Sequence, residues 1–499
     1  MQYHISKLNG HALSSTAQIG QHDVCKIAHD MGFHELSFYA YNTAADSDIE
    51  LSKRLDGIIA GLSHGDLVVF QSPSWLDFRF DKAFFEKLNN YYNIKKVIFV
   101  HDIQPLMFKG NYYLIDQIIS MYNQADVLIL PSVKMYQRLL LEGLNHNRII
   151  FQEMWDQYSD FTPIRPQYKP VLQFAGDINK FKFTQNWNYD TDIYAYCQSD
   201  QENSNRHVHC LGWMSHYVLN DELAKRGGFG IVWSDDDSVS AYLKTCISHK
   251  MSTYILAGIP MIVPAYLANS YIISNNRLGF VVNNLDEAIE MVEKTDNDTY
   301  NQLVQNVINF RPLISDGYFT RRVLSDAVSL ACGHKLLGYN PHHIIMDLPL
   351  KNNKSVLIAT NSSQMIGLED LIKSLPEFCF HITAPTLMSP SLMELDKYKN
   401  VRLYPAIDSN KLNDLYMDCQ YFLDINYGEE VPHAIYRAVI SGQVVLAFKQ
   451  TVHQKQYMDA LNLYSEDEID QVIDRIRLLD HSKDVLKNSI NLQYINIFE

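Results

Sequence analysis

The fold is decided by residues 207–264, which begin with HVHCLGWM, pass through FGIVW at 229–233 and close with ILAGIPMIVP at 255–264. Residues 400–448 repeat the same order, with NVRLYPAI at the start, YFLDIN at 421–426 and VISGQVVLAF at the end. Both copies read strand, helix, strand, helix, strand. Apolar runs that alternate with helical periodicity predict parallel strands covered on both faces, so the predicted fold class is α/β.

The two copies differ at the position where a phosphate would bind. The first copy carries Lys250-Met251-Ser252 at a predicted helix start, and the second has Pro432-His433-Ala434 there. This contrast predicts one working nucleotide-sugar site and one related module with another role.

Length and composition limit the possible classes of protein. A chain of 499 residues is too long for one hydrophobic core, and about three domains are expected. The formal net charge of −15 argues against a general surface for nucleic acid or anionic membranes, so a phosphate must be held by a few local cations and backbone N–H groups. The 7 scattered cysteines are typical of reduced thiols in a cytoplasmic protein. Neither a signal peptide nor a transmembrane helix is expected.

Strands alternate with helices along the whole chain, which predicts a series of Rossmann-like domains. Residues 1–165 are predicted to form an N-terminal acceptor domain, and residues 166–312 a nucleotide-sugar-binding domain. A helix over 313–331 is predicted to return to the first domain. A linker follows at 333–354, and residues 355–499 are predicted to form a third Rossmann-like, accessory domain.

The strongest candidate site is the helix start at Lys250. In open α/β sheets, ligands bind near the carboxyl ends of the strands, where such helices begin. The first turn of this helix, which is predicted to end at Gly258, brings together free N–H groups, the positive end of the helix dipole and a lysine. This combination suits a diphosphate. The neighbouring Ser252, Thr253 and Tyr254 are further donor-binding candidates.

Two other loops give weaker signals. Gly176 is interpreted as allowing a sharp turn after a strand, and Lys180 in the same loop can neutralise a diphosphate. A solvated lysine on a turn explains that loop equally well. The loop before Thr16 leads from a short strand into a helix whose N–H groups can bind an anion, but an ordinary helix cap also explains it.

The acceptor side of the predicted cleft has its own candidates. His101 and Asp102 follow a first-domain strand, where an imidazole or carboxylate would face an acceptor hydroxyl and act as a general base. We take both as candidate catalytic residues, although an isolated His-Asp pair is a weak signal. The sequence contains no P-loop, HExxH, GxSxG or clustered metal-ligand spacing, so no metal and no other cofactor are expected.

At these segments the chain resembles a known family. Residues 1–331 resemble the glucosyltransferases that perform the second sugar-transfer step on serine-rich repeat adhesins of streptococci and lactobacilli. The resemblance implies a GT-B fold, a homo-oligomer, and transfer of glucose from UDP-glucose to N-acetylglucosamine (GlcNAc) on Ser or Thr of the adhesin. The matching stretches include FVHD at 99–102, NYYL at 111–114, YNQADV at 122–127, GWMS at 212–215 and KMSTY at 250–254.

The resemblance also implies site residues. Carried over position by position, it places Thr16, Lys180, Tyr217 and Lys250 where contacts with UDP are expected. An arginine is expected in the loop after Gly176, where this chain has Lys180. Lysine keeps the charge but loses the bidentate geometry of the guanidinium group.

Residues 355–499 are similar to the C-terminal half of the non-catalytic partner subunit of the first-step N-acetylglucosaminyltransferase. Such a subunit recognises the acceptor and stabilises its partner, so this domain is expected to bind acceptor glycoprotein or a partner subunit. The similarity lies in ATNS at 359–362, HITAPT at 381–386, LDINYGEE at 423–430 and LAF at 446–448.

The sequence therefore favours a UDP-sugar-dependent hexosyltransferase that acts in the cytoplasm on a GlcNAc-modified serine-rich repeat glycoprotein, with no nucleic-acid partner. Two alternatives stay open at this point. One is a non-catalytic glycoprotein-binding subunit that stabilises another glycosyltransferase. The other is an enzyme of the same fold that uses a different sugar or acceptor.

Overall fold

The structure is a computed structural model, and it describes residues 1–10, 16–197, 205–336, 351 and 354–498. For residues 16–17, 237–238 and 495–498 it describes the backbone alone. The chain divides into two compact units, one formed by residues 1–135 and 146–339 and the other by residues 136–145 and 340–499. Within the described residues, the strands form three 6-stranded sheets with parallel pairing, as the sequence predicts.

The first sheet has the strand order β2-β1-β3-β4-β5-β6. Strands β3, β4 and β5 are almost wholly buried because helices cover both faces of the sheet. The strands are β1 (Tyr3–Asn9), β2 (His34–Tyr39), β3 (Leu67–Ser72), β4 (Lys95–Val100), β5 (Val127–Leu130) and β6 (Ile149–Phe151). The helices are α1 (Thr16–Asp30), α2 (Asp48–Ile58), α3 (Phe78–Lys87), α4 (Gln104–Met107), α5 (Ile115–Tyr122) and α6 (Val133–Leu141), with 3₁₀ turns at Thr43–Ala45, Leu88–Asn90 and Lys109–Leu114.

The second sheet has the order β12-β11-β10-β7-β8-β9. Its core is rich in aromatic side chains, among them Phe174, Phe183 and Trp187. The strands are β7 (Leu172–Phe174), β8 (Ile193–Ala195), β9 (Val208–Cys210), β10 (Phe229–Ile231), β11 (Met261–Pro264) and β12 (Gly279–Val282). The helices are α7 (His216–Arg226), α8 (Asp237–Leu243), α9 (His249–Ala257), α10 (Ser270–Asn275), α11 (Leu285–Lys294), α12 (Asn297–Ser315) and α13 (Tyr318–Ala331), with a 3₁₀ turn at Lys182–Asn186.

The third sheet, in the second unit, has the order β15-β14-β13-β16-β17-β18. One face of its penultimate helix, including Val472, Ile473 and Ile476, lies in the core. The strands are β13 (Ser355–Ala359), β14 (Cys379–Thr383), β15 (Val401–Tyr404), β16 (Tyr421–Asp424), β17 (Val444–Phe448) and β18 (Leu463–Tyr464). The helices are α14 (Leu368–Ser374), α15 (Pro390–Met393), α16 (Ser409–Asp418), α17 (Ala434–Ile440), α18 (Ile469–His481) and α19 (Lys483–Phe498), with 3₁₀ turns at Glu394–Lys397, Lys455–Tyr457 and Ala460–Asn462.

The sequence repeat has a structural counterpart in the second and third sheets. If the six strands of each sheet are numbered 1 to 6 along the chain, both sheets have the spatial order 6-5-4-1-2-3. Strands β9, β10 and β11 of the second sheet correspond in this way to β15, β16 and β17 of the third. Helix α9 and helix α17 therefore occupy equivalent places, each before the fifth strand of its sheet.

The segment predicted as one helix over 313–331 belongs to two helices. Helix α12 ends at Ser315, three residues after Pro312, and Gly317 then adopts a left-handed φ of 76° before α13 begins. Helix α13 packs into the core of the first sheet through Val323, Leu324 and Ala327. Most of the predicted linker 333–354 lies outside the described residues.

Every helix in the part of the chain that the structure describes is too short or too polar to span a bilayer.

The second unit includes the end of helix α6. Arg138 lies there between two carboxylates, 2.8 Å from Glu142 Oε1 and 2.6 Å from Asp414 Oδ1. It also donates to the side chain of Asn410, and Gln137 donates to the carbonyl of Ile440. Since the Arg138 side chain is only 7% exposed, these contacts are largely shielded from water.

We expect Arg138→Met to lower the free energy of unfolding of the second unit by about 3 kcal/mol, because the substitution removes the cation from between two carboxylates in a mostly buried place. Amide hydrogen exchange of peptides from the third sheet measures this loss. The control is Lys225→Met, which breaks an exposed ion pair with Asp221 and should cost less than about 0.5 kcal/mol. Wild-type protection of the third sheet in Arg138→Met would contradict this prediction.

Candidate active site

Lys250 lies in the first turn of helix α9, after the N-cap residue Ser248, which makes no side-chain capping hydrogen bond. The N–H of Met251 donates to the carbonyl of Ser248 at 3.2 Å. In the described part of the chain the N–H groups of His249 and Lys250 have no acceptor, so they and the positive end of the helix dipole are left for a ligand. The helix ends at Gly258, whose φ of 79° is left-handed, as the sequence predicts for a helix stop. Helix α9 therefore has the predicted end, and Lys250 lies in its first turn as predicted.

Lys180 and Lys250 lie close together around one aromatic ring. The Nζ atom of Lys250 is 4.1 Å from the ring centroid of Phe181, and that of Lys180 is 5.5 Å from the same centroid. Burial, and then the charge of Lys180, lower the pKa of Lys250 to about 8. In the described part of the chain neither lysine forms an ion pair with a carboxylate. Two cations held together in this way create a site for an anion of more than one charge.

The chain bends at Gly176 directly after β7, as the sequence predicts. Its backbone does not adopt a positive φ. A Cβ atom at this position would lie 2.8 Å from Cε of Lys250 and 2.7 Å from Cζ of Phe174. The reason for a glycine at this bend is therefore steric: it leaves room for the side chains of Lys250 and Phe174.

The side chains of Ser252, Thr253 and Tyr254 point into the protein. Ser252 Oγ donates to the carbonyl of Trp155 at 2.5 Å, and Thr253 Oγ1 accepts from Gln157 Nε2 at 2.7 Å. Tyr254 Oη donates to the carbonyl of Ile231 at 2.9 Å and accepts from the N–H of Ala175 at 3.0 Å. These hydrogen bonds fix the position of helix α9. Because the three hydroxyls are used in this way, the groups of α9 that remain for the predicted donor contacts are its backbone and Lys250.

Four aromatic rings form a stack beside the start of helix α9. His101 lies between Phe99 and Trp155, with centroid distances of 5.0 and 4.8 Å, and Trp155 stacks in turn on His249 at 5.1 Å. His101 Nε2 donates to Gln71 Oε1 at 2.8 Å, because Gln71 Nε2 already donates to the carbonyl of Ser6. Burial lowers the pKa of His101 to about 3 and that of His249 to about 4, so both rings are neutral at pH 7. The structure thus places His101, predicted as catalytic, inside a packed stack.

Asp102, the other predicted catalytic residue, lines a small cavity at the ends of β3 and β4. Burial raises the pKa of its carboxyl to about 6, while the hydrogen bond from Tyr242 and the charge of Lys180 act in the opposite direction. Asp81 lines the same cavity, and burial raises its pKa to about 7. Asp81 Oδ2 accepts from the N–H of Ser74 at 3.1 Å. The cavity thus combines two carboxyls whose protonation changes close to neutral pH.

The two remaining donor candidates are not brought into contact with the lysines by any described side-chain interaction. Thr16 is the first residue of helix α1, and its side chain lies outside the described residues. Tyr217 lies in the first turn of α7 and is 58% exposed. Their assignment to the donor site stays a prediction.

Sequence reasoning did not identify Tyr242, Trp155 or Asp81. Tyr242 and Trp155 contact residues far away in the chain, and Asp81 comes to share a cavity with Asp102 only through the fold, so no local motif reveals these three residues. The described residues contain no group of three or more His, Cys, Asp or Glu side chains placed to hold a metal ion.

The third sheet holds a carboxylate where the second sheet holds Lys250. Helix α17 starts after His433, and the N–H of Ile435 donates to Glu430 Oε1 at 3.1 Å. Gln454 donates to the other oxygen of Glu430 at 2.6 Å. The anion position of this helix is therefore taken by the chain's own carboxylate, which gives a physical reason for the contrast between the two copies.

Family models match almost the whole chain. Residues 2–154 match the model described as "Glucosyltransferase 3-like, N-terminal domain", and residues 172–327 match its C-terminal counterpart. Residues 356–493 match the model described as "GftB/GlyA-F C-terminal domain".

Two relatives correspond to these two regions. Glucosyltransferase 3 of Streptococcus gordonii is 44% identical over 331 residues, which is 66% of this chain and 98% of that protein. A protein of the same species that stabilises UDP-N-acetylglucosamine--peptide N-acetylglucosaminyltransferase is 38% identical over 111 residues, or 22% of this chain and 25% of that protein. Among solved structures, sucrose-phosphate synthase from Thermosynechococcus elongatus is similar in fold, with a TM-score of 0.51, 11% identity, and coverage of 66% of this chain and 100% of that one. The GT-B fold expected from the sequence is thus confirmed.

A substitution at Gly20 of helix α1 tests whether the His249 ring of the aromatic stack is held in place. A Cβ atom there would lie 2.7 Å from Cε1 of His249, whose ring is held against Trp155 and cannot easily move. We expect Gly20→Ala to lower stability by about 1 kcal/mol, since the close contact outweighs the gain in helix propensity.

The matched control is Gly57→Ala in helix α2, where a Cβ atom would have no heavy atom within 4 Å. This variant should gain about 0.5–1 kcal/mol from helix propensity. Thermal unfolding distinguishes the two substitutions. An equal rise of the melting temperature in both would show that the ring of His249 is not held in place.

Proposed function

The chain belongs to the glucosyltransferase 3 family, and on that premise we propose that this glycosyltransferase moves glucose from UDP-glucose to GlcNAc already attached to Ser or Thr of a serine-rich repeat adhesin. The donor and acceptor follow from the resemblance of residues 1–331. The similarity of the C-terminal region to a protein that stabilises a peptide N-acetylglucosaminyltransferase supports a glycoprotein acceptor.

The observation that carries the proposal is the pair of lysines at the start of helix α9. A UDP-sugar brings a diphosphate, and the departing UDP gains negative charge as its bond to the sugar breaks. Lys250, Lys180 and the free N–H groups of α9 supply positive charge at one place, with no carboxylate ion-paired to either lysine among the described residues. We assign the diphosphate to this place, and we assign further donor contacts to Thr16, Tyr217 and the backbone at Gly176.

The reaction then proceeds by substitution at C1 of the sugar. The bond from C1 to the diphosphate oxygen breaks, and the lysines stabilise the UDP that leaves. A new bond forms between C1 and the acceptor hydroxyl oxygen. We assign the proton of that hydroxyl to Asp102, because Asp102 lines the first-domain cavity and its pKa of about 6 leaves it mostly ionised at pH 7. We give His101 a structural role, since its ring is part of the aromatic stack.

The accessory domain is assigned to acceptor recognition. Its anion position is closed by Glu430, so we propose that it binds acceptor glycoprotein or a partner subunit rather than a second nucleotide. We further propose that the protein acts in the cytoplasm, before export of the adhesin, and as a homo-oligomer. Fractionation of cells and light scattering of the purified protein test these two points.

We expect Lys250→Ala to raise the Kd for UDP by about 10- to 100-fold, because it removes a charge-assisted contact with the diphosphate. Isothermal titration calorimetry measures this change, and UDP release with a GlcNAc-peptide acceptor measures turnover. The control is Lys294→Ala, an exposed lysine paired with Glu290 in helix α11. Unchanged UDP affinity in Lys250→Ala would contradict the site. Absence of UDP binding by the wild-type chain, together with co-purification of another glycosyltransferase, would favour the non-catalytic alternative.

We expect turnover to be insensitive to excess EDTA, because the lysines and the helix N-terminus neutralise the leaving group without a metal ion. The measurement is the initial rate of UDP release before and after chelation. Loss of activity that is restored by Mg²⁺ or Mn²⁺ would show that the diphosphate needs a metal and would refute this part of the proposal.

A further inference from the structure

One stretch of chain, residues 242–250, touches the first domain at regular intervals before it reaches the donor helix. Tyr242 bonds to Asp102, and the carbonyl of Thr245 accepts from Ser132 Oγ at 2.5 Å. The carbonyl of Ile247 accepts from Trp155 Nε1 at 3.1 Å. The contacts continue with His249 in the aromatic stack, and the next residue is Lys250.

The Tyr242 hydroxyl has its direction set from two sides. It donates to Asp102 Oδ1 at 2.7 Å and accepts from the N–H of Ile103 at 3.0 Å. A phenol has one proton to donate, so these two bonds leave the hydroxyl one orientation. Within the described part of the chain, Asp102 Oδ2 has no hydrogen bond, and the carboxylate lines the cavity at the ends of β3 and β4.

The backbone around Tyr242 is itself fixed. The Tyr242 carbonyl accepts from the N–H of Cys246 and from Thr245 Oγ1, both at 2.9 Å. Helix α8 is tied down at its start, where Ser240 Oγ donates to the carbonyl of Ser234 at 2.9 Å. Helix α8 also packs against helix α4, which follows Asp102 in the chain. The phenol is thus a rigid group of the second domain that reaches a carboxylate of the first.

We propose that Tyr242 is a positioning residue, which holds Asp102 with one oxygen directed at the acceptor hydroxyl and links that carboxylate, through residues 242–250, to the diphosphate site. This inference rests on the proposed function, because it gives Asp102 the acceptor proton. It adds that the acceptor-side group is oriented by the domain that binds the donor.

The pH dependence of the rate provides the test. The groups that act on Asp102 are the Tyr242 hydroxyl in α8 and Lys180 in the loop after β7, and Asp102 in turn acts on Cys246 and on Tyr122 of α5. Asp81 of α3 shares the cavity. The hydrogen bond from Tyr242 favours the ionised carboxylate, so removing it raises the pKa of Asp102 further. The ionised fraction is then lost at a higher pH than in the wild-type protein.

The experiment is the profile of kcat/KM against pH for Tyr242→Phe with UDP-glucose and a GlcNAc-peptide. We expect the acid limb to move upward by about one pH unit, while the alkaline limb, which we assign to Lys250, stays in place. The control is Tyr271→Phe, which removes a tyrosine–carboxylate hydrogen bond to Glu153 and touches neither Asp102 nor Lys250. Its profile should match that of the wild-type protein.

A second variant tests the opposite direction without removing volume. Replacement of Tyr242 by 3-fluorotyrosine makes a stronger donor, so the acid limb should move to lower pH. This variant also serves if Tyr242→Phe does not fold, which thermal unfolding and UDP affinity reveal.

Two outcomes separate this inference from the proposed function. A wild-type chain that turns over UDP-glucose, with acid limbs that coincide in the wild-type, Tyr242→Phe and fluorotyrosine proteins, would overturn the role of Tyr242 and leave the proposed function standing. A wild-type chain with no UDP-sugar turnover would overturn the proposed function, and the role of Tyr242 with it.

Discussion

The structure depends on one electrostatic constraint: the partly buried Lys250 lies beside the exposed Lys180, and in the described part of the chain no carboxylate pairs with either lysine. Burial and the charge of Lys180 depress the pKa of Lys250, which means that the protein holds this cation at a cost in free energy. A bound diphosphate would reverse that cost. The aromatic rings of Phe174 and Phe181, and the bare Cα of Gly176, shape the space in which Lys250 is held.

The same constraint explains how the two halves of the site are connected. A single stretch of chain fixes the start of helix α9 relative to the cavity that Asp102 lines. Tyr242 reaches Asp102, while His249 joins a stack that includes His101 and Trp155. Since both histidines have lowered pKa values, the stack stays neutral near pH 7 and adds no charge beside Lys250. In the third sheet, the equivalent helix α17 instead donates the N–H of Ile435 to Glu430, a carboxylate of the same chain.

The sequence predicts the architecture well, because parallel strands and helix ends are encoded locally. The repeat predicts that α9 and α17 are equivalent, and Gly258 and Pro260 predict where α9 ends. The site is less predictable. Tyr254 looks like a donor contact in a linear motif, yet its hydroxyl joins two strands in the interior. Gly176 and Tyr242 owe their roles to partners 74 and 140 positions away, and such contacts leave no local pattern to detect.

Proton uptake on nucleotide binding tests the central claim most directly. At pH 8 the Lys250 amine, with a pKa of about 8, is half protonated in the free protein, and a diphosphate should bring it to full protonation. Calorimetry of UDP binding in buffers of different ionisation enthalpy should therefore show uptake of about half a proton, and Lys250→Arg, which is always charged, should show almost none. A binding enthalpy that does not depend on the buffer, or equal uptake in both proteins, would contradict the account.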